Sequence, residues 1–260
     1  MRISQIPIVQ SKDLLFAWVN RTITGRYQQS LLGWLWAVVQ PIASVIIFSI
    51  IFTKFVPVDT GDIPYPVFSY IAVVPWTFFS ASLQDMTTSL VQNISLVTKV
   101  YFPREVLPIS AMLARLIDFG VAALVLVALM AIYRVPVFLP GLAFIPLILM
   151  IQVCLQIGLG LITATANVFF RDIQPLLVLA LQLWFYASPI IYPATLVPAE
   201  YRFLYYLNPM AGILEAYRLV LIYQTLPGNT LIVAAVEAVL ALAFGYWLFK
   251  RVEFQFADIV

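Results

Sequence analysis

Charged residues are crowded into a few short stretches of this chain, and between them lie apolar runs long enough to cross a lipid bilayer. A crossing helix needs about 20 mainly apolar residues. Six segments meet that requirement: 31–55, 67–91, 109–133, 141–166, 174–192 and 229–249. The first is reached through Gly25 to Pro41, where Arg21 and Arg26 give way to almost uncharged sequence as far as Lys54. Tyr27, Trp34 and Trp36 in that stretch are of the type that favours the headgroup boundary. Ahead of it, residues 11–24 place Leu14, Leu15, Trp18, Val19 and Thr22 at helical spacing, with Lys12, Asp13, Asn20 and Arg21 mostly between them. That spacing predicts a short amphipathic helix along the membrane surface, capped by Ser11; a frayed tail is the alternative.

The loops left over are 56–66, 92–108, 134–140, 167–173 and the long 193–228. With the N-terminus in the cytoplasm, Arg2, Lys12, Arg21, Arg26, Lys99, Arg104, Arg171, Lys250 and Arg251 fall inside, against Lys54, Arg134, Arg202 and Arg218 outside. Nine against four satisfies the positive-inside bias and puts both termini in the cytoplasm. Residues 193–228 are long for a loop yet mostly apolar. Pro193, Pro198, Pro209 and Pro227 cut them into pieces such as Tyr201–Leu207 and Met210–Tyr223, each too short to span. Two short helices dipping in from the outer face and broken at Asn208-Pro209 account for this; a loop resting on the outer leaflet is the alternative.

Composition confirms the class: 63% of the 260 residues are hydrophobic and 10% charged, with a mean hydropathy of +1.00. Such a chain is an all-α membrane protein made of one transmembrane domain. A net charge of +2 gives no reason to expect nucleic acid as a partner. The single cysteine, Cys154, excludes an internal disulfide or thiolate metal cage, and the absence of histidine removes the commonest metal ligand and general base together. No metal site is expected. Met1 to Gln10 lacks the plan of a cleaved signal peptide, so the mature chain is expected to start there.

Few residues inside the apolar runs carry chemistry. Asp85, Arg115, Asp118 and Glu237 are ionisable groups at membrane depth, each needing a partner or a watery cavity. Arg115 and Asp118 are three apart on one helix face and form an expected intramembrane ion pair, which is functional or simply structural. Asp85 and Glu237 have no partner nearby in sequence. In the inside loop from Val97 to Pro108, Pro103 and Pro108 are expected to bracket a very short helix. Tyr101 and Phe102 would then stand exposed beside Arg104 and Glu105, as suits protein docking or an ordinary aromatic belt. Trp76, Phe78 and Phe79, and Trp184, Phe185 and Tyr186, are aromatics near few charges that could line a carbohydrate path or simply pack. Gly160 and Ala164 are a faint packing signal. There is no phosphate loop, no Gly-x-Ser-x-Gly elbow and no zinc-type motif. No catalytic residue is assigned, and any fuel must be burned by a separate subunit.

The stretch Arg26-Tyr27-Gln28-Gln29-Ser30-Leu31-Leu32-Gly33-Trp34-Leu35-Trp36 through Gln40-Pro41 resembles the membrane permease of bacterial polysaccharide ABC exporters, the O-antigen, teichoic-acid and capsule type. So do Lys99-Val100-Tyr101-Phe102-Pro103-Arg104-Glu105 with Leu107-Pro108, Phe170-Arg171-Asp172-Ile173, and Asn208-Pro209 followed by Glu215 and Arg218. The resemblance implies six membrane helices, an interfacial N-terminal helix, and short re-entrant outer helices between the last two spans. It also implies a homodimeric channel in the bacterial inner membrane. Each copy would dock a cytoplasmic nucleotide-binding ATPase through Tyr101, Phe102, Pro103, Arg104, Glu105 and Val106. ATP and magnesium would be bound by that partner and no cofactor by this chain. The cargo would be a glycan on an undecaprenyl-diphosphate lipid, exported from the cytoplasm. Arg26 and Tyr27, with Trp34, become substrate-access candidates. Trp76, Phe79, Trp184, Phe185 and Tyr186 become channel-lining candidates, and Tyr205, Tyr206, Asn208, Glu215 and Arg218 outer-gate candidates. Permeases for a drug, lipid or other small substrate, and more remotely an intramembrane transferase, are the competing readings.

Overall fold

The computed structural model describes residues 12–27, 33–100 and 102–257, without the side chains of Tyr27, Trp34 and Ala257. Ser11 and Tyr101 lie outside the described residues, as do the side chains of Tyr27 and Trp34, and the expectations placed on them end there. Every regular element described is helical. Helix α1 (Lys12–Tyr27) precedes α2 (Trp36–Ile50), whose last turn widens into a π-turn over Ile51–Phe55. Helices α3 (Tyr65–Gln92), α4 (Ile94–Lys99) and α5 (Val106–Ile132) follow, then a single turn α6 (Leu139–Leu142), α7 (Ile145–Phe169) and α8 (Ile173–Tyr186). A short turn α9 (Arg202–Tyr205) leads to α10 (Pro209–Leu221), and α11 (Asn229–Val252) ends in a 3-10 turn over Glu253–Ala257.

Among the described residues, five helices are long and apolar enough to cross a membrane: Trp36–Phe55, Tyr65–Gln92, Val106–Ile132, Leu139–Phe169 and Asn229–Phe256. The remaining expected span, 174–192, is different. Helix α8 stops at Tyr186 after 14 residues, about 21 Å at 1.5 Å per residue, which is short of a hydrocarbon core of about 30 Å. Pro189 follows three residues later, where its ring and missing N–H disfavour a further turn through Ala187 and Ser188.

Helix α3 is the central post. Nearly its whole length is buried, and it packs against α2, α5, α7, α8 and α10. Buried polar side chains tie the post to its neighbours. Gln152 of α7 donates to the Pro75 carbonyl at 2.9 Å and accepts from the Tyr217 hydroxyl of α10 at 3.3 Å. Thr87 donates to Thr163 at 2.7 Å, and Asn167 donates to the Thr87 carbonyl at 3.0 Å. In an apolar surrounding such polar links fix which faces meet.

The closest approach joins α7 and α11. A Cβ on Gly158 would overlap the Ala241–Leu242 backbone, and one on Gly245 would overlap the Gly158 carbonyl. The pair Gly160 and Ala164 faces elsewhere: Ala164 is buried, and a Cβ on Gly160 would strike Met86 of α3.

The loops sort to two ends. Trp18 of α1, Phe102, Leu107, Val168, Phe249 and Phe256 share one small apolar cluster, so α1, the α4–α5 junction and the end of α11 lie together. Tyr65, Val135, Ile190, Met210 and Leu231 belong to the main core towards the opposite end. Helix α10 is buried there almost throughout, against α3, α7 and α11, while α9 exposes Phe203 and Leu204. The break at Asn208-Pro209 falls where the proline pattern put it.

Candidate functional site

Four charged side chains meet where α1, α3 and α5 converge. Arg26, in the last turn of α1, donates from Nη2 to Asp85 at 2.6 Å and from Nη1 to Asp118 at 2.8 Å. Arg115 donates from Nε to Asp85 at 2.6 Å and from Nη2 to the other Asp85 oxygen at 3.2 Å, and it lies 3.4 Å from Asp118. The expected Arg115–Asp118 pair is therefore the longest of the four links, and Asp85 has two partners that its sequence neighbourhood does not show. Two guanidiniums against two carboxylates sum to zero, which is how charges survive at low dielectric. All four side chains keep between 16% and 28% exposure because they wall a cavity.

That cavity holds about 390 Å³. Its lining is mixed: Gln40 and Trp36 of α2, Thr77, Ser80 and Gln84 of α3, and Phe119 of α5 stand beside the charges. Ser80 and Gln84 also line a neighbouring groove of about 270 Å³ with Trp76, Gln182, Phe185 and Tyr186, on the α8 side of α3. A polar stripe, Thr77, Ser80 and Gln84, thus runs along α3 between the thinly packed α2 and α8. Hydropathy alone does not mark it. Its signal is there all the same, as three polar residues at helical spacing inside an apolar run.

The aromatic candidates divide. Trp76, Phe79 and Trp184 interlock at 5.2 to 6.3 Å between ring centres, with Phe185 5.8 Å from Trp76. Phe79 is fully buried and Trp76 nearly so, so Phe79 supports the groove from behind; Phe185 and the exposed Tyr186 face it.

The outer-gate candidates are mostly fastened. Asn208 caps α10 by accepting from the Met210 amide at 3.1 Å, accepts from the Trp184 indole at 2.7 Å, and donates to Ser188 at 3.0 Å. Arg218 is 2% exposed. It donates to the carbonyls of Ile190, Tyr192 and Phe68, and its guanidinium lies 3.7 Å from the Phe68 ring centre. Burial pulls it down to about 10, so it stays cationic at neutral pH. It is a clamp on the chain between α8 and α9. Burial and then the adjacent Glu215 raise the Tyr206 phenol above its ordinary value, which keeps its proton available to that carboxylate. Tyr205 lines a third cavity with Trp184 and Asn208.

The inner loop departs from expectation. The short helix is α4, ahead of the loop, and α5 starts at Val106 without a separate helix between Pro103 and Pro108. Pro108 sits in the first turn of α5, where a missing N–H costs no hydrogen bond. Phe102 is half-buried and stacks on Trp18, 6.5 Å between centres. Glu105 and Val106 are buried, not exposed; Glu105 pairs with Lys250 at 2.7 Å, and Arg104 donates to the Glu253 carbonyl. Pro103 and Arg104 are half-buried.

Long apolar helices, a neutralised charge cluster beside a polar-lined cavity, and a folded inner loop describe a membrane transport protein. The chain belongs to the ABC-2 type transporter family, which it matches over residues 13–222. Its relatives narrow the comparison. It is 30% identical over 258 residues, 97% of each chain, to the O-antigen export system permease protein RfbA of Myxococcus xanthus. It is 29% identical over 248 residues, 95% of each chain, to the protein of that name from Klebsiella pneumoniae. It is also 27% identical over 205 residues to the polysialic acid transport protein KpsM of Escherichia coli, covering 76% of this chain and 77% of the other. Permeases of this family are transport subunits, not enzymes, and generally work with a nucleotide-binding ATPase subunit.

Proposed function

We propose that this chain is the membrane-spanning subunit of an ATP-driven exporter that moves a lipid-linked polysaccharide, O-antigen-like, outward across the bacterial inner membrane. The observation that carries this reading is the similarity to O-antigen export permeases over nearly the full length of both chains. The polar stripe on α3 supports it, because a hydroxyl-rich polymer needs hydrogen-bonding partners inside the bilayer that a purely apolar bundle lacks.

Six crossings fit the geometry. Trp18 near the start and Phe249 and Phe256 near the end lie in one cluster, and a chain whose two ends share one side of a membrane crosses an even number of times. Helix α8, prolonged by residues 187–192, supplies the sixth passage, and α10 dips back between α3, α7 and α11 from the outer side. Helix α1 lies along the cytoplasmic boundary. The apolar residues exposed on α2, α5, α8 and α11, among them Ile46, Leu124, Leu179 and Val236, face lipid or a second copy. Two copies enclose the channel with α2 and α8 beside the stripe. The loop after α4 seats the ATPase, which binds ATP and magnesium; this chain binds no cofactor. Arg26 and the charge cluster stand where the diphosphate of the carrier lipid arrives.

Deletion of the gene tests the proposal. Surface polysaccharide should disappear while lipid-linked glycan accumulates inside, and a plasmid copy should restore export. Unchanged surface glycan together with altered resistance to a small molecule would instead indicate a drug or lipid permease.

A further inference from the structure

The end of the bundle that holds Phe102 and Trp18 carries a second ionic assembly, separate from the cavity charges. Lys250, in the last turns of α11, lies 2.7 Å from Glu105 and 3.1 Å from Glu253, while Arg104 donates to the Glu253 carbonyl. Glu105 is 2% exposed, and Phe256 is fully buried, packed on Phe249 at 5.5 Å and Phe169 at 6.2 Å. The turn Glu253–Ala257 is thus folded onto the inner loop and touches α4. Outward from this joint, Lys99 and Val100 on one side and Arg251 and Phe254 on the other are exposed, the last at 66%. Two cations and two large apolar side chains thus stand exposed on the two segments that this joint ties together, as a rim beside the loop.

We propose that the C-terminal turn Glu253–Ala257 is the second half of the ATPase seat, held in register with the inner loop by the Lys250–Glu105 pair. This rests on the function proposed above. The occupant is the nucleotide-binding subunit because the rim is continuous with the loop assigned to it. An exposed aromatic beside arginine and lysine suits a partner face with acidic residues around an apolar pocket. A loop tied to α11 also passes a push from the partner directly to the last membrane helix. A loop tied only to its own ends would absorb that push by flexing.

The test uses the whole chain co-expressed with its tagged ATPase subunit in membranes. Arg251→Ala with Phe254→Ala changes two exposed side chains, beyond the rim removing only the Arg251 contact with the exposed Trp247 ring, and should retain at least ten-fold less ATPase subunit while the amount and thermal midpoint of the permease stay unchanged. Glu105→Lys and Lys250→Glu should each reduce retention, and the double exchange should recover at least half of it, which a merely structural loss would not do. Wild-type retention by the rim variant overturns the inference. So does a fluorescent label at Gln255→Cys, in a Cys154→Ser background, that reports a lipid environment with and without the ATPase, because the rim then meets lipid headgroups. Absence of the ATPase subunit from the wild-type preparation would instead strike the functional proposal itself.

Discussion

Arg26 ties three helices with one side chain. Its two terminal nitrogens reach Asp85 on α3 and Asp118 on α5, so removing it takes a cation from both carboxylates at once. We expect Arg26→Ala to lose about 1–3 kcal/mol, the range for unpairing a partly buried polar group, read as a lowered thermal midpoint in detergent. Arg26→Lys should recover only part of this, because an ammonium cannot span both carboxylates with a fixed fork. An unshifted midpoint in Arg26→Ala would show that the cluster does not hold α1. Arg218 follows the same logic at the other end. With the Ile190 and Tyr192 carbonyls of the non-helical segment held by it, Arg218→Met should take that donor from both, and limited proteolysis should cut residues 190–200 faster; equal rates would contradict the clamp. Neither arrangement is visible locally in the sequence. Asp85 lies 59 positions from Arg26 and 30 from Arg115, and no helical spacing links them. The one pair that spacing does reveal, Arg115 and Asp118, is the weakest by distance.

Among elements, α7 and α11 approach so closely at Gly158 and Gly245 that side chains are excluded from the contact. Gly158→Val should force the helices apart at a cost of about 1–3 kcal/mol, whereas Gly120→Ala, where a Cβ meets nothing within 4 Å, should be neutral. Equal thermal midpoints for the two variants would contradict this packing. The long spans were readable to within a few residues because bilayer thickness dictates their length and composition. Asn208-Pro209 was readable because proline takes the first turn of α10 and asparagine caps it. The end of α8 is not legible in hydropathy, because residues 187–192 continue the apolar run and only Pro189 interrupts it. The inner loop is not legible for a different reason. Its charges look like a surface tip, and only the folded chain shows Lys250 arriving to bury Glu105.

For the molecule as a whole, the sorting of loops to two ends sets the geometry of transport. A cysteine label at Tyr206, in a Cys154→Ser background, should react from the outer face of intact cells, and one at Lys99 only after the inner face is opened; the reverse pattern would invert the proposed topology. Family membership came through in the sequence because its motifs sit at helix boundaries, where backbone and charge requirements are local. The polar stripe did not, because Thr77, Ser80 and Gln84 are individually ordinary residues whose meaning depends on α2 and α8 leaving them uncovered. The proposed function is that this chain, with its ATPase, moves a lipid-linked glycan. Flux in proteoliposomes holding both subunits, with fluorescent lipid-linked glycan on the ATPase side, measures this directly. ATP-dependent appearance of glycan on the opposite side is expected, reduced at least ten-fold by Gln84→Leu with Ser80→Leu. ATP hydrolysis without glycan transfer in the unaltered complex would contradict it.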